Sequence, residues 1–302
     1  MEILVTEKSI DYELVDSGGG EKLERYGIYF LRRPDPQAIW QKTLDESEWQ
    51  RASAVFTRTS TTGKWVVAAS SQQLVARENT WKVSLQDFSF TLKLLPSKHL
   101  GVFPEQSVNW KWLEEKIQHD TNIRIKTNDT NKIQVLNLFA HTGGATMACA
   151  RAGASVCHVD ASQFAVDFAH DNLKNSGLGE KPVRFIVDDV RKFVEREIKR
   201  GKKYDIILLD PPVYGKGSKG EVWKIEEDLL PLLTRLKSVL SDSPVAIILN
   251  GYASEYSSTT YAQILSSITG DLKGNISNGE LAIRESSAGR LLPCGIFARW
   301  EN

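Results

Sequence analysis

The sequence contains few of the residues that build disulfide or metal frameworks. Of its 302 residues only three are cysteine (Cys149, Cys157 and Cys294) and only five are histidine. They form neither a CxxC pair nor a cysteine–histidine cluster at metal-ligand spacing. Such usage is typical of a protein in a reducing compartment, and it predicts neither a disulfide framework nor a metal site.

Long hydrophobic runs are also missing. The longest apolar segments, such as Ile206–Leu209, have the length of a strand, whereas a helix that crosses a bilayer needs roughly 18 apolar residues. Residues 1–8 show no basic region followed by an apolar run, so they do not resemble a secretory signal. We therefore expect a cytoplasmic protein with no membrane partner.

Neither sign of charge is in excess. The chain has 38 Lys and Arg against 38 Asp and Glu, which gives a net charge of zero. Its 41% of hydrophobic and 25% of charged residues are close to the averages of globular proteins and exclude a disordered chain. Because a neutral chain carries no overall electrostatic attraction for nucleic acid, an RNA partner would have to bind a local patch.

Two parts of the sequence follow different patterns. Residues 1–95 contain short β-like runs separated by turn residues, which predicts a small, mostly β domain with a possible role in substrate recognition. In residues 96–302, strand-like and helical segments alternate, as is typical of an α/β fold with a parallel sheet covered on both faces. Residues 280–284 and 291–300 are separated by a short turn and predict an antiparallel hairpin.

The second part is predicted to contain five strands and five helices before that hairpin. The predicted strands are 133–139, 155–159, 183–187, 204–209 and 244–249. The predicted helices are 108–118, 145–152, 162–175, 190–199 and 221–240. Ligands of open α/β sheets bind at the carboxyl ends of the strands, so the residues that follow each strand are the candidates for a site.

The first predicted strand is followed by a glycine-containing turn, residues 140–144. Paired glycines let a ligand approach the backbone closely, but they equally suit a tight turn that needs positive φ. The turn lacks both the GxGxxG pattern and the lysine of a P-loop. It therefore specifies neither a dinucleotide nor a nucleoside triphosphate.

Carboxylates follow the next two strands. Asp160 is placed to accept both hydroxyls of a ribose or to cap the next helix, with Ser162 as a rival cap. Asp188 and Asp189 follow the third strand and suit either an adenine amino group or another helix cap. Together with the glycine turn, these carboxylates favour an adenosine-bearing ligand.

The fourth strand is followed by Asp210-Pro211-Pro212-Val213-Tyr214-Gly215. Two prolines fix the backbone and remove two N–H donors, so their carbonyl groups are held beside a carboxylate and an aromatic ring. This arrangement is suited to accepting a hydrogen bond from an N–H group of a flat substrate that stacks on Tyr214.

These segments resemble class I S-adenosylmethionine (SAM) dependent methyltransferases, most closely the branch that includes bacterial large-subunit ribosomal RNA methyltransferases. The resemblance covers about residues 97–302 and is carried by residues 99–106, 137–144 and 159–162, by Asn172 and Asp189, and by Asp210-Pro211-Pro212. It implies a Rossmann-like sheet of strand order 3-2-1-4-5-7-6, with the last strand antiparallel, and SAM as the cofactor.

The resemblance also implies roles for individual residues. The implied cofactor-binding residues are Phe103, Gln106, Ala140, His141, Thr142, Gly143, Gly144, Asp160, Ser162, Asp189, Val190 and Asp210. The residues implied to face the methyl acceptor are Asp210, Pro211, Pro212 and Tyr214, with Lys216, Lys219 and Asn250 as further substrate-binding candidates. Residues 140–144 would approach the methionine end of SAM, Asp160 its ribose and Asp189 its adenine.

The acceptor is expected to be a nitrogen atom. Cytosine-C5 methyltransferases of this branch need a nucleophilic cysteine, often in a segment after the fifth strand, and residues 249–253 contain none. Direct transfer to a base nitrogen, with Asp210 and the Pro211 carbonyl as hydrogen-bond acceptors, is therefore the favoured chemistry. A methyltransferase for a protein side chain or a small molecule, and a non-catalytic SAM-binding module, are the alternatives.

Three segments are candidates for a local RNA contact. They are Arg32-Arg33, the basic run 191–203, and the loop 216–220, which ends near Trp223 and Lys224. The run suits the solvated face of an amphipathic helix. The loop suits either a mobile basic lid whose aromatic residue stacks on a base or a plain surface loop.

Overall fold

The computed structural model describes residues 1–58, 63–76, 79–127, 131–217, 220–252 and 255–302. The chain divides into two compact units. The sheet unit comprises Met1–Leu4, Val108–Leu281 and Gly295–Asn302. The N-terminal unit comprises Val5–Ser107 and Ala282–Cys294. Residues 96–107 thus group with the N-terminal strands, and the domain boundary expected after residue 95 stays a prediction.

The strands and helices are numbered in chain order. The strands are β1 (Glu2–Thr6), β2 (Tyr12–Gly18), β3 (Glu21–Tyr26), β4 (Tyr29–Pro34), β5 (Ala54–Arg58), β6 (Gly63–Val67), β7 (Thr80–Leu85), β8 (Phe88–Lys93), β9 (Gln134–Leu138), β10 (Ser155–Asp160), β11 (Val183–Val187), β12 (Ile206–Leu209), β13 (Tyr214–Lys216), β14 (Val222–Lys224), β15 (Ala246–Gly251), β16 (Asn275–Arg284) and β17 (Leu291–Glu301). The helices are α1 (Glu46–Trp49), α2 (Gln72–Ala76), α3 (Ser107–Lys126), α4 (Gly144–Arg151), α5 (Gln163–Asn175), α6 (Val190–Lys199), α7 (Ile225–Leu236) and α8 (Ser258–Thr269).

The main sheet has the strand order β11-β10-β9-β12-β15-β17-β16-β1. Strands β9 to β12 and β15 pair in parallel, and β17 lies antiparallel to β15. Numbered from β9, and without the small β13–β14 hairpin, this is the order 3-2-1-4-5-7-6 implied by the resemblance, which is therefore confirmed. β1 adds a further strand beside β16.

The strand registers bring four chain segments to one edge of the sheet. Leu138 pairs with both Val159 and Leu209, and Leu209 also pairs with Leu249. Because these strands are parallel, the residues that follow them lie at one carboxyl edge. Residues 139–144, Asp160, Asp210 and Asn250 therefore share this edge.

The sheet is covered by apolar residues on one face and by a partly polar layer on the other. β12 is buried along its whole length and packs with Phe193 of α6, Leu233 of α7 and Leu265 of α8. On the opposite face, Asn137 Nδ2 donates to Thr146 Oγ1 over 2.9 Å, and that hydroxyl lies 2.9 Å from His158 Nδ1. Continuous apolar strands are what a sheet buried on both faces requires.

Two elements of the structure differ in kind from the prediction. The helix expected from residue 221 begins at Ile225, because Val222–Lys224 pairs as a strand with Tyr214–Lys216. α8 was not predicted at all. Its signals were the N-cap Ser257, whose hydroxyl accepts from Thr260 N, and apolar Tyr261, Leu265 and Ile268 at helical spacing.

The N-terminal unit is mostly β, as predicted. Its five-stranded sheet has the order β2-β3-β4-β5-β6, and β7 and β8 form a separate hairpin. Buried carboxylates within it pair with arginines: Glu24 pairs with Arg33, and Asp16 and Glu285 pair with Arg290. No helix in the described part of the chain is long and apolar enough to cross a membrane.

Candidate active site

The turn after β9 has a strained backbone. Phe139, His141 and Gly143 adopt positive φ values of 54°, 48° and 89°. For residues other than glycine this conformation costs on the order of 1–3 kcal/mol, and it clusters at functional sites. The turn leads directly into α4, for which Gly143 is the N-cap residue.

Neighbouring elements hold this turn in place. Ala140 N donates to Val159 O over 3.1 Å, and His141 N donates to Asp160 Oδ2 over 2.8 Å. From α5, Asn172 Nδ2 donates to Thr142 O over 3.1 Å. Burial lowers the pKa of His141 below its usual 6.5, against the opposing effect of the Asp160 carboxylate. The turn is therefore preorganised by β10 and α5.

Close packing explains the two glycines. A Cβ atom on Gly144 would lie 2.3 Å from Cζ2 of Trp110, and one on Gly143 would lie 3.0 Å from Cβ of Ala169. Of the two explanations left open by the sequence, a tight, crowded turn is thus sufficient. Approach of a ligand to the same backbone stays a prediction.

Asp160 lies at the carboxyl edge of the sheet, and its contact with the ribose of SAM stays a prediction. Its Oδ1 accepts from Ser162 N over 2.9 Å, and its Oδ2 accepts from His141 N. The side chain is half-buried, and an ionised carboxylate has about four acceptor sites, so acceptor capacity remains for hydroxyl groups. The Ser162 hydroxyl caps α5 by accepting from Ala165 N over 3.3 Å.

Asp189 already has a full set of partners. It caps α6 by accepting from Arg191 N and Lys192 N, and it forms an ion pair with the Arg191 guanidinium at 2.7 Å. Burial alone would raise the pKa of Asp189, but the hydrogen bonds from Arg191 and Lys192 hold it below 3.8. The structure thus gives Asp189 a capping role. Val190 is buried among the core residues beside Phe193.

The acceptor loop, residues 210–214, is braced by a tryptophan. Trp223 Nε1 donates to Pro212 O over 2.7 Å, and its ring packs edge-on against Phe139 at 4.8 Å between centroids. Only 5% of Trp223 is exposed. The expectation that it stacks on a base is therefore wrong, and it instead connects the acceptor loop to the turn after β9.

Two side chains of the predicted acceptor site are exposed. Tyr214 is 54% exposed and Lys216 is exposed on the same short strand, β13. Lys219 lies outside the described residues. Asp210 and Pro211 are more buried, and Asn250 is 8% exposed.

Tyr252, which the sequence reasoning missed, is 37% exposed just after β15. Its signal was an aromatic residue directly after the fifth parallel strand. A second exposed ring therefore follows a strand adjacent to β12.

The expectation of an RNA contact at Arg33 is wrong, and the other arginines of two candidate segments are paired with acids. Arg33 is 6% exposed and is bound to Glu24, while Arg32 pairs with Glu21 and Glu46 at 2.7 Å each. All three arginines of the 191–203 run also pair with acids, for example Arg196 with Asp188. The partly exposed arginines of the run agree with its interpretation as the solvated face of a helix.

Phe103 and Gln106 belong to the N-terminal unit. The Phe103 ring lies 5.3 Å from that of His99, and Gln106 is buried at the end of a single 3₁₀ turn, Pro104–Gln106. Their role over the cofactor stays a prediction.

The cysteines are unsuited to nucleophilic catalysis. Cys149 and Cys157 are buried, and burial raises the pKa of Cys157 to about 11. Burial also raises the pKa of Cys149 and of Cys294 in the N-terminal unit. Since the thiolate is the reactive form, all three are poor nucleophiles near neutral pH. Among the residues that the structure describes, no group of three or more His, Cys, Asp or Glu could hold a metal ion.

Comparison by sequence finds partial matches. The family model described as "Conserved hypothetical protein 95" matches residues 114–241. The ribosomal RNA large subunit methyltransferase I of Escherichia coli and that of Shigella boydii are each 37% identical over 98 residues, which is 32% of this chain and 24% of theirs. The match therefore spans about a quarter of the length of these relatives.

Comparison by structure covers the whole chain. The SAM-dependent methyltransferase of Agrobacterium tumefaciens is 37% identical with a TM-score of 0.90, covering 100% of this chain and 93% of that one. A Streptococcus mutans protein assigned to the same class shares the fold at 16% identity and a TM-score of 0.69, covering 97% of this chain and 76% of that one. Because this chain is 37% identical to the Agrobacterium protein and covers 93% of it, the chain belongs to the SAM-dependent methyltransferases.

Proposed function

We propose that this protein transfers the methyl group of SAM to a base nitrogen of RNA, with large-subunit ribosomal RNA as the first target to test. The names of the E. coli and Shigella relatives support the RNA class. The observation that carries the proposal is the exposed ring of Tyr214 four residues after Asp210, in a loop whose two prolines have carbonyl groups but no N–H donors.

The chain's own residues mainly have to position the reactants. SAM supplies a methyl group already activated by its sulfonium, so alignment of the acceptor accounts for most of the catalysis. Asp160 would hold the ribose and residues 140–144 the methionine end. Asp210 and the Pro211 carbonyl would accept the N–H of the base. The Pro212 carbonyl is already bound to Trp223, so it serves the loop instead of the substrate.

Nitrogen is favoured over carbon as the acceptor atom because of the cysteines. Methylation at C5 of cytosine needs a nucleophile that adds to the ring, and none of the three thiols is both accessible and acidic enough. An amino or ring N–H nitrogen that takes up a methyl group needs no covalent adduct, only a group such as the Asp210 carboxylate to accept the proton that it then loses.

We expect aromatic rings to contribute more to RNA binding than a basic surface does. Tyr214 and Tyr252 are exposed after adjacent strands, and base–aromatic stacking contributes about 1–3 kcal/mol per base. Lys216 supplies a nearby cation for a phosphate, and Lys219 stays a candidate. The three free cysteines suit a reducing, cytoplasmic setting.

Methyl transfer from tritiated SAM into total RNA tests the proposal. We expect incorporation by the wild type, a loss of about 100-fold or more in Asp210→Asn, and a larger loss in Tyr214→Ala than in Tyr214→Phe. Calorimetry should show SAM binding that Asp160→Ala weakens and Tyr214→Ala does not. Label in protein or small molecules, with none in RNA, would contradict the RNA assignment and favour the alternative substrate classes.

A further inference from the structure

The acceptor loop is bound by the junction of β14 and α7, residues 223–225. Trp223 Nε1 donates to Pro212 O over 2.7 Å. Two residues further on, Ile225 N donates to Val213 O over 3.0 Å. Two successive carbonyl groups of the loop are therefore held by this junction, and the position of the loop depends on where the junction lies.

Arg191 of α6 contacts the junction from its other side. Its Nη1 atom donates to Asp228 Oδ1 over 2.8 Å, and Oδ2 of Asp228 accepts from the backbone N–H of Lys224 over 2.9 Å. The guanidinium carbon also lies 6.0 Å from the centroid of the Trp223 ring, at the limit of a cation–π contact. One side chain thus reaches the junction through Asp228 and lies over the ring that braces the loop.

The same guanidinium is bound at the carboxyl end of β11. Its Nη2 and Nε atoms donate to the two oxygens of Asp189 over 2.7 and 3.2 Å. Asp189 is itself fixed, because it caps α6 by accepting from two backbone N–H groups. Since a bidentate pair sets the orientation of the planar guanidinium, Asp189 sets the direction in which Nη1 points to Asp228.

The three charged groups are largely shielded from water. The exposed fraction of the side chain is 24% for Arg191, 8% for Asp189 and 20% for Asp228. Exposed ion pairs contribute little, because solvent and salt screen them and their long side chains move. A shielded, bidentate arrangement keeps a defined geometry instead.

We propose that Arg191 is a positioning residue that sets where the acceptor loop lies relative to the carboxyl edge of the sheet. This inference rests on the proposed function, in which residues 210–214 face the methyl acceptor. Methyl transfer requires the acceptor atom in line with the bond that breaks, and a misplacement of about 1 Å can lower the rate on the order of 100-fold. Arg191 acts through Asp228 and Trp223 and not on the reactants.

Asp228→Asn removes the bond from Arg191 with the least change in shape. The oxygen of the asparagine still accepts from Lys224 N, while its nitrogen faces Arg191 and cannot accept. We expect kcat/KM for RNA to fall about 10- to 100-fold. SAM affinity should stay within about twofold of the wild type, because Asp228 is none of the predicted cofactor-binding residues. Arg191→Met removes every contact of the guanidinium and should lose at least as much activity.

Arg235→Met is the matched control for these variants. Arg235 of α7 pairs with Glu195 of α6 at 2.7 Å, so it joins the same two helices, but about three helical turns away from the junction. Its replacement should leave kcat/KM within about twofold of the wild type, and the Tm of each variant reports any loss of folding. Equal losses of activity in Asp228→Asn and Arg235→Met would overturn the proposal, because the packing of α6 on α7 would then account for both.

Arg191→Lys separates the charge from the geometry. Lysine keeps the positive charge, but its compact ammonium group cannot bind both oxygens of Asp189 and also reach Asp228 in one plane. We expect Arg191→Lys to lose nearly as much activity as Arg191→Met. Full activity of Arg191→Lys would overturn the proposal, since charge alone would then suffice.

The indole N–H signal of Trp223 in NMR spectra tests the positioning without SAM or RNA. Trp223→Phe identifies this signal among those of the eight tryptophans. In Asp228→Asn and Arg191→Met the signal should move upfield, and its proton should exchange with solvent at least about fivefold faster as the bond to Pro212 O loosens. Arg235→Met should leave it unchanged.

This readout distinguishes the inference from the proposed function. If the wild type methylates no RNA, the proposed function fails, while the Trp223 signal still decides whether Arg191 holds the acceptor loop. An unmoved Trp223 signal in both Asp228→Asn and Arg191→Met overturns the inference, and so does a moved signal in variants whose methylation of RNA equals that of Arg235→Met.

Discussion

The two units bury charge in different ways. In the sheet unit, β12 is an uninterrupted apolar run and β15 is apolar as far as Leu249. Most of the carboxylates discussed above lie where strands end, although Glu197 of α6 and Arg299 of β17 are buried. In the N-terminal unit, charges stand within the strands themselves, and Glu24 and Arg33 are 0% and 6% exposed on β3 and β4. The first unit is held mainly by its apolar core, and the second depends also on the completeness of a polar network.

The buried carboxylate of Glu24 is fully hydrogen-bonded and ion-paired. Its carboxylate accepts from the hydroxyls of Tyr12 and Tyr26 at 3.1 Å each and from Arg33 at 2.7 and 2.5 Å. Lys22 lies 3.8 Å away. Buried ions contribute little net stability when paired, but losing one partner is expensive because the other charge stays uncompensated.

Arg33→Met breaks this network and should give the largest stability change. We expect a loss of about 3–5 kcal/mol in the free energy of unfolding, because the Glu24 carboxylate stays buried without its main partner. Urea unfolding at neutral pH measures it. The double variant Glu24→Gln/Arg33→Met should be more stable than Arg33→Met alone, since glutamine carries no charge.

The neighbouring arginine provides the control for that prediction. Arg32 is 22% exposed and its partner Glu46 is 53% exposed, so Arg32→Met should cost less than about 1 kcal/mol. If Arg32→Met and Arg33→Met lost equal stability, the distinction between an apolar unit and a network-dependent unit would be wrong.

The same distinction explains which parts of the fold could be predicted. β11 and α6 have the bounds that the sequence indicated, because apolar periodicity and the cap Asp189 are local signals. The order of the sheet followed from the resemblance. Arg33 looked like a surface cation because a sequence does not show that Glu24, on the neighbouring strand, is its partner.

The candidate site was predictable only in part, for a similar reason. Asp160 and Asp210 lie at the ends of strands and could be found from their place in the sequence. Trp223 was misjudged, since its burial depends on contacts with Pro212 and Phe139 that are distant along the chain. The hydrogen bond from Arg299 to Asn109 Oδ1 joins residues 190 apart in the sequence, and no local pattern indicates it.

The dependence of stability on pH tests the comparison of the two units, and in the sheet unit it should depend on His158. Burial lowers the pKa of His158 from 6.5 to about 3, so the folded protein resists a proton that the unfolded chain accepts. Stability should therefore fall as the pH drops from 6.5 towards 3, by up to about 1.4 kcal/mol per pH unit. His158→Asn should flatten this slope. His170→Asn is the control, because His170 is exposed yet packs on the same Phe185 ring.

Glu105 should give the N-terminal unit a smaller pH dependence of opposite sign. Burial raises the pKa of Glu105 from 4.5 to about 7, against the opposing effect of Lys22. The unfolded chain loses this proton first, so stability should fall as the pH rises from 4.5 to 7. Urea unfolding across that range should show a flatter decline in Glu105→Gln, with Glu48→Gln controlling for the loss of one carboxylate. If Glu105→Gln leaves the slope unchanged, Glu105 is ionised in the folded protein. The N-terminal unit would then hold a buried charge in addition to those of its ion pairs.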